Sequence, residues 1–367
     1  MKTSALFITL FLFPAVLFAQ SNTFYMLSGK HEFNSGSPAE WSVKQTVFKG
    51  KKKLENPRFA SSKGSNASFL LTQSNSNETI YEITANEEKA KQVFKVRVFD
   101  PNKVTKFSYK DGKNPATETF IIVPSTLTPN TKVLVVMHGL SRNADAYIDS
   151  WKSWAIKNDY IVVAPHFDNK HWNGQNRYNL GNVLSKSGKL NSKRKWTFQI
   201  TDNLAKSVIN GFRLKQQNYD IFGHSAGGQF VNRMLLFLPN AAIHIAIVAN
   251  PGWYTLPELE TVYPYGLKNE KLTFTKSDLI NWTEKNVFLI RGTADIERTP
   301  NLRQTPDADK QGKNRFERAG FMFQKIKEIN ANSNWKLMNV PGVGHQQSGM
   351  SKFAQNILSE NKLNENN

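Results

Sequence analysis

The sequence predicts an α/β protein, a doubly wound and mostly parallel sheet of eight strands with a small β-rich N-terminal region before it. Three observations carry that expectation. From residue 101 onward, short apolar runs alternate with stretches of helical periodicity, the pattern of repeated β–α units. Several runs, including Val133-Leu134-Val135-Val136 and Ile161-Val162-Val163, lack polar alternation, as strands covered on both faces require. The run Tyr219-Asp220-Ile221-Phe222 leads directly into Gly223-His224-Ser225-Ala226-Gly227. An amphipathic stretch follows with Phe230, Val231, Met234, Leu235 and Leu238 on one face, so strand, sharp turn and helix succeed one another without a gap.

Residues 1–19 stand apart from this pattern. Lys2 precedes the apolar run from Ala5 to Phe18, and small Ala19 stands before Gln20, which together read as a leader peptide cleaved near Ala19. The run is too short for an ordinary membrane span. The chain has no cysteine, which closes the lipoprotein route and rules out disulfides. The expectation is an exported, soluble protein, secreted or periplasmic.

Residues 20–100 form an accessory region, β-rich or partly disordered, rich in Ser, Asn and Lys. Extended patches fall at Ala67–Leu71, Thr79–Thr84 and Gln92–Phe99, the last with the period-two alternation of a strand. Trp41 is the only tryptophan such a region could offer a carbohydrate or polymer, and a plain structural extension is the simpler reading.

Residues 101–367 form the main domain. Its strand candidates are Lys106–Tyr109, Thr117–Val123, Lys132–Met137, Tyr160–Ala164, Tyr219–Phe222, Ile243–Ala249, Val287–Arg291 and Trp335–Val340. Helical faces lie between them. Tyr147, Ile148, Trp151 and Trp154 share one; Ile200, Leu204, Val208 and Phe212 another; Met322, Phe323 and Ile326 a third; Phe353, Ile357 and Leu358 close the chain.

Hydrophobic residues make up 39% and aromatics 12% of the 367 residues, enough for a packed interior and too much for wholesale disorder. The formal charge is +19, or +18 once Lys2 leaves with the leader. Such a field attracts acidic polymers and anionic surfaces. The lysines are scattered, apart from Lys49–Lys53 and Lys193-Arg194-Lys195, and carry no nucleic-acid motif, so a solvated basic surface with no specific nucleic-acid partner is expected.

A serine hydroxyl is a poor nucleophile at neutral pH and needs a base within hydrogen-bond reach. Of seven histidines, His345 lies in the glycine-rich loop Gly342-Val343-Gly344-His345 after the last strand, at the sheet edge that faces the ligand crevice. His224 adjoins the serine and points elsewhere at a sharp turn, and His244 sits inside an apolar run as a packed histidine would. Asp295 follows the buried strand Val287–Arg291 and can orient the imidazole, with Glu297, Asp307 and Asp309 as competitors. The oxyanion needs preorganised donors: the amide of Ala226 at the helix start, and that of Leu140, or Ser141 as fallback, in the loop His138-Gly139-Leu140-Ser141.

Two aromatic-bearing insertions surround these residues, His166 to Trp196 and Asn250 to Tyr265. His138, Trp172, Trp253 and Tyr254 are the substrate-binding candidates, and packing of a lid explains the aromatics equally well. Arg142 and Arg291 can bind a carboxylate, although a structural role is the stronger reading for both. No metal-ligand spacing or phosphate-cradling loop appears, and no cofactor is called for.

The His138-Gly139 loop, the Gly223–Gly227 elbow, the Gly292-Thr293-Ala294-Asp295 loop, the Gly344-His345 loop and the order Ser, Asp, His together resemble the α/β-hydrolase fold family over about residues 101–360. Val135–Gly139 and Gly223–Phe230 are similar to secreted polyester-depolymerase-like and feruloyl-esterase-like proteins, which often have disulfides. The resemblance implies a serine esterase acting on small or polymeric esters through Ser225, His345 and Asp295. Two alternatives stay open: a serine peptidase on the same fold, and a secreted binding or attachment protein that has lost catalysis.

Overall fold

The computed structural model describes residues 101–365 apart from Arg213, together with four N-terminal strands. The expected leader, the patch Ala67–Leu71, His31 and the Lys49–Lys53 run lie outside the described residues. The N-terminal strands are β1 (Phe24–Ser28), β2 (Glu40–Val47), β3 (Thr79–Glu87) and β4 (Ala90–Phe99), joined antiparallel in the order β1-β4-β3-β2. β3 and β4 contain the expected patches Thr79–Thr84 and Gln92–Phe99. At the end of β4, Phe99 is buried edge-on against Phe107 with ring centres 5.8 Å apart.

The main sheet has eight strands: β5 (Val104–Tyr109), β6 (Thr117–Ile122), β7 (Lys132–Met137), β8 (Tyr160–His166), β9 (Tyr219–His224), β10 (Ile243–Ala249), β11 (Val287–Gly292) and β12 (Lys336–Val340). Their order is β12-β11-β10-β9-β7-β8-β6-β5. β5 and β6 run antiparallel to their neighbours, and every other pairing is parallel. The eight strand candidates of the sequence coincide with these eight strands. Every residue of β7 and β9 is buried, which is why Val133–Met137 and Ile221-Phe222 run apolar without alternation.

The helices are α1 (Ala144–Asp149), α2 (Lys152–Asn158), α3 (Gly174–Arg177), α4 (Thr197–Gly211), α5 (Ala226–Phe237), α6 (Lys276–Thr283), α7 (Pro306–Asp309), α8 (Arg315–Ile329) and α9 (Gln347–Glu365). They cover both faces of the sheet. Val133, Val135 and Ile221 turn to the face where α4, α5 and α8 supply Leu204, Met234 and Met322. Leu134, Val136 and Phe222 turn to the other, where α1, α2 and α9 supply Ile148, Ala155 and Ile357. Alternate residues of one strand thus feed two cores, each closed by the apolar stripe of its helices.

At the amino end of the strands, away from the elbow, a single carboxylate ties three of them together. Asp220 of β9 is buried and accepts from the Tyr160 hydroxyl of β8 at 2.9 Å and the Ile245 amide of β10 at 3.1 Å. Its Oδ1 also lies 3.1 Å from His244 Nδ1. A buried polar group left without its partner costs about 1–3 kcal/mol. Asp220→Ala removes the shared acceptor from these contacts and should lower the unfolding free energy by roughly 2–4 kcal/mol in denaturant melts. Turnover by the folded fraction should be unaffected.

Candidate active site

The elbow is built by close backbone contact. Ser225 sits at φ 57° and ψ −117°, a strained conformation for a non-glycine residue, and its amide donates to the Ala249 carbonyl at 2.9 Å. α5 starts at the next residue and must pass against the end of β7. A Cβ at Gly227 would stand 2.1 Å from the Met137 carbonyl oxygen, so only glycine lets the helix approach this closely.

Two further loops reach the same point from β11 and β12. The Ala294 amide donates to the Val343 carbonyl at 3.0 Å, and the Gly342 amide to Thr293 Oγ1 at 2.9 Å. A Cβ at Gly292 would lie 2.2 Å from the Val343 oxygen. Asn250, buried at the end of β10, accepts from the Gly292 amide at 2.9 Å and donates to the Gly344 carbonyl at 3.2 Å. One amide side chain thereby sets the spacing between the loops that carry Asp295 and His345.

The result is a continuous chain of contacts. His345 Nε2 is 3.0 Å from Ser225 Oγ, and His345 Nδ1 is 2.7 Å from Asp295 Oδ2. Asp295 exposes only 2% of its side chain against 28% for His345, so the carboxylate is shielded while the imidazole faces the crevice. Such an arrangement lets the imidazole accept the serine proton while the carboxylate holds its other N–H. Glu297, Asp307 and Asp309, the competing carboxylates, make no such contact; Asp309 instead pairs with Arg298 and Arg318.

Asp295 has a second partner. Arg315 Nη1 lies 3.4 Å from Asp295 Oδ1, and its side chain is as buried as the carboxylate. Burial pulls the Arg315 guanidinium below the usual arginine value, opposed by the neighbouring Asp295 charge. His224 packs its ring 4.7 Å from that of His345 and contacts the Tyr147 hydroxyl through Nδ1 at 2.9 Å. Burial, reinforced by the charges of His345 and Arg315, pushes His224 well below the ordinary histidine range, so it stays neutral beside the base.

Ser225 opens into a cavity of about 310 Å³. Gly139, Leu140, Ser141 and Ala226, the residues of the two expected oxyanion amides and their neighbours, are among those that line it. Leu140 is 48% exposed, so its side chain packs little. Trp253, Arg303, Arg315, Asn179 and Gln229 also line the cavity.

Of the four expected substrate-binding residues, only Trp253 lines this cavity. His138, Trp172 and Tyr254 are corrections: they are as buried as Trp253 but do not border the cavity. His138 donates from Nδ1 to the Gly139 carbonyl at 3.0 Å and accepts the Phe167 amide at Nε2 at 3.1 Å. Burial takes its pKa down to about 3, so it shapes the loop as a neutral ring. Trp172 packs edge-on against Phe167, and the Tyr254 backbone is clamped by Gln311. Hydrophobic area outweighed proximity in sequence, and these aromatics fill the core under the insertions. Arg142 and Arg291 are structural, as expected. Arg142 donates to the Phe167, Trp172 and Gly174 carbonyls, and Arg291 to Asn339 and the Phe316 carbonyl. Sequence reasoning missed Asn250, Arg303 and Arg315, none of which belongs to a local pattern.

Neither a protein-family model nor a curated protein sequence matches the chain. Solved structures do. Poly(aspartic acid) hydrolase-1 from Sphingomonas sp. KT-1 is 33% identical, with a TM-score of 0.67 over 70% of this chain and 98% of that one. LpqC, a poly(3-hydroxybutyrate) depolymerase from Bordetella parapertussis, is 31% identical, with a TM-score of 0.67 over 71% and 91%. With this sheet, this elbow and relatives of that identity along nearly their whole length, the chain belongs to the α/β-hydrolase family and resembles its polyester-depolymerase-like members.

Proposed function

We propose that the protein hydrolyses carboxylic esters through an acyl-enzyme on Ser225. The observation that carries this reading is the unbroken chain from Ser225 Oγ through His345 to Asp295, with contacts of 3.0 and 2.7 Å, at the floor of an open cavity. Ser225 Oγ attacks the acyl carbon while its proton passes to His345 Nε2. Asp295 accepts the hydrogen bond from Nδ1–H and stabilises the imidazolium. The carbonyl oxygen becomes an oxyanion held by the amides of Ala226 and Leu140. Collapse breaks the bond to the alcohol oxygen, which takes the proton from His345. Water then gives a proton to His345 and attacks the acyl carbon, and Ser225 leaves with that proton restored.

Similarity to a poly(3-hydroxybutyrate) depolymerase supports a polymeric ester as substrate, and the leader-like residues 1–19 support action outside the cytoplasm. A second reading, hydrolysis of a polymeric amide, is favoured by the similarity to a poly(aspartic acid) hydrolase. Rates on an aryl ester and on the anilide of the same acid separate the two.

Ser225→Ala should retain the folded circular-dichroism spectrum and lose p-nitrophenyl butyrate hydrolysis by roughly 10³-fold or more. Undiminished turnover would remove Ser225 from the chemistry. Arg315→Leu leaves the buried Asp295 carboxylate with one cation fewer. It should lower kcat by about tenfold or more, with little change in KM, and lower the melting temperature, because breaking a buried pair is costly. Arg315→Lys should recover part of both.

A further inference from the structure

The charge around the cavity is unbalanced. Among the residues that line it there is no Asp or Glu, whereas Arg303 and Arg315 both do so. Arg315 has Asp295, a carboxylate already engaged with His345. Arg303 has no carboxylate partner among the described residues, although Arg298 in the same loop is paired with Asp309 at 3.0 Å. The Arg303 guanidinium is nonetheless held in place. Its Nε donates to the Tyr265 hydroxyl at 2.6 Å and its Nη1 to Gln175 Oε1 at 2.9 Å. It also stacks 4.7 Å from the centre of the Trp253 ring.

Behind it lies a second cation. Arg233 is fully buried and sits 4.1 Å from the same Trp253 ring. Its donors go to Thr255 Oγ1, to the Asn179 and Gln229 carbonyls and to Gln229 Oε1, all neutral. Its Nη2 has no partner among the described residues. Burial lowers its pKa to about 9, with Arg303 a further cause, and it remains charged at neutral pH. Two guanidinium groups thus flank one indole, neither paired with a carboxylate: Arg233 fully buried, and Arg303 half-buried at the cavity. An anion entering the cavity meets a guanidinium, that of Arg303, already held in place by its neighbours. An arginine fork suits a carboxylate in particular, because it can donate two parallel N–H bonds.

Building on the reading of Ser225 as nucleophile, we infer that Arg303 is the specificity-determining residue of this cavity and binds a free carboxylate carried by the substrate. The ester to be cleaved then belongs to a molecule with a second, ionised carboxyl group, either at the end of an oligoester or pendant on its repeat units. Arg233 supports the site from behind Trp253 without touching the ligand.

The test compares mono-p-nitrophenyl adipate with its methyl-capped counterpart on the wild type and on Arg303→Met and Arg303→Gln. The wild type should prefer the free acid by about 10- to 100-fold in kcat/KM, the range of a charge-assisted pair. Both variants should bring that ratio to near unity. The ratio is read within each protein, so a general loss of activity does not imitate the result. No preference in the wild type, or a preference retained in both variants, overturns the inference.

If neither ester turns over, the nucleophile reading fails, and binding decides the inference separately. By calorimetry, Ser225→Ala should bind monomethyl adipate more tightly than dimethyl adipate, and Ser225→Ala combined with Arg303→Met should not distinguish them. Equal binding of the two by Ser225→Ala contradicts the carboxylate site. Oligoesters with a free terminal acid and neutral repeats, set against capped oligomers with pendant acids, identify the source. Arg303-dependent preference for either supports the inference, and preference for neither overturns it.

Discussion

Three loops meet at one point only because the backbone is allowed into contact where they cross. Gly227 lets α5 pass against the Met137 carbonyl, and Gly292 lets the aspartate loop lie on the Val343 carbonyl of the histidine loop. Any side chain at either position would push the loops apart. A displacement of 1 Å is enough to cost an acyl-transfer site orders of magnitude in rate. Asn250 completes the constraint from the third side with one bond to each of two loops. The strain at Ser225, with φ at 57°, persists because these contacts and the buried strands leave the elbow no alternative.

The electrostatics build on that frame. A buried carboxylate beside an imidazole is costly unless its charge is matched, and Arg315 matches it from the side opposite His345. His224 and His138 are buried too, and both are kept neutral by that burial. They add packing without adding charge. The residues that line the cavity are left with more cation than anion, a bias toward negative charge.

Most of the sheet was legible because its information is local. A strand buried on both faces announces itself as an apolar run, and β7 and β9 are buried throughout. The elbow and the aspartate loop follow strands of that kind and the histidine loop follows the half-exposed edge strand β12, so chain order alone places Ser225, Asp295 and His345 at one edge. What was not legible depends on contacts distant in sequence. Arg315 reaches Asp295 across 20 residues, and Arg303 meets Gln175 across 128. No periodicity encodes either contact. The aromatics misled for a related reason. Trp172, Tyr254 and Trp253 look alike in a polar insertion and all three are buried, and only the packed structure shows that Trp253 alone of them borders the cavity.

The central claim is that Ser225 is made nucleophilic by His345 and Asp295. It is tested most directly by reaction with a fluorophosphonate, which needs an activated serine and no knowledge of the substrate. Intact-mass and peptide mapping should show one adduct per chain, on Ser225, with labelling slowed by roughly 10³-fold in His345→Ala. Labelling elsewhere, no labelling, or a rate unaffected by loss of His345 would contradict the account.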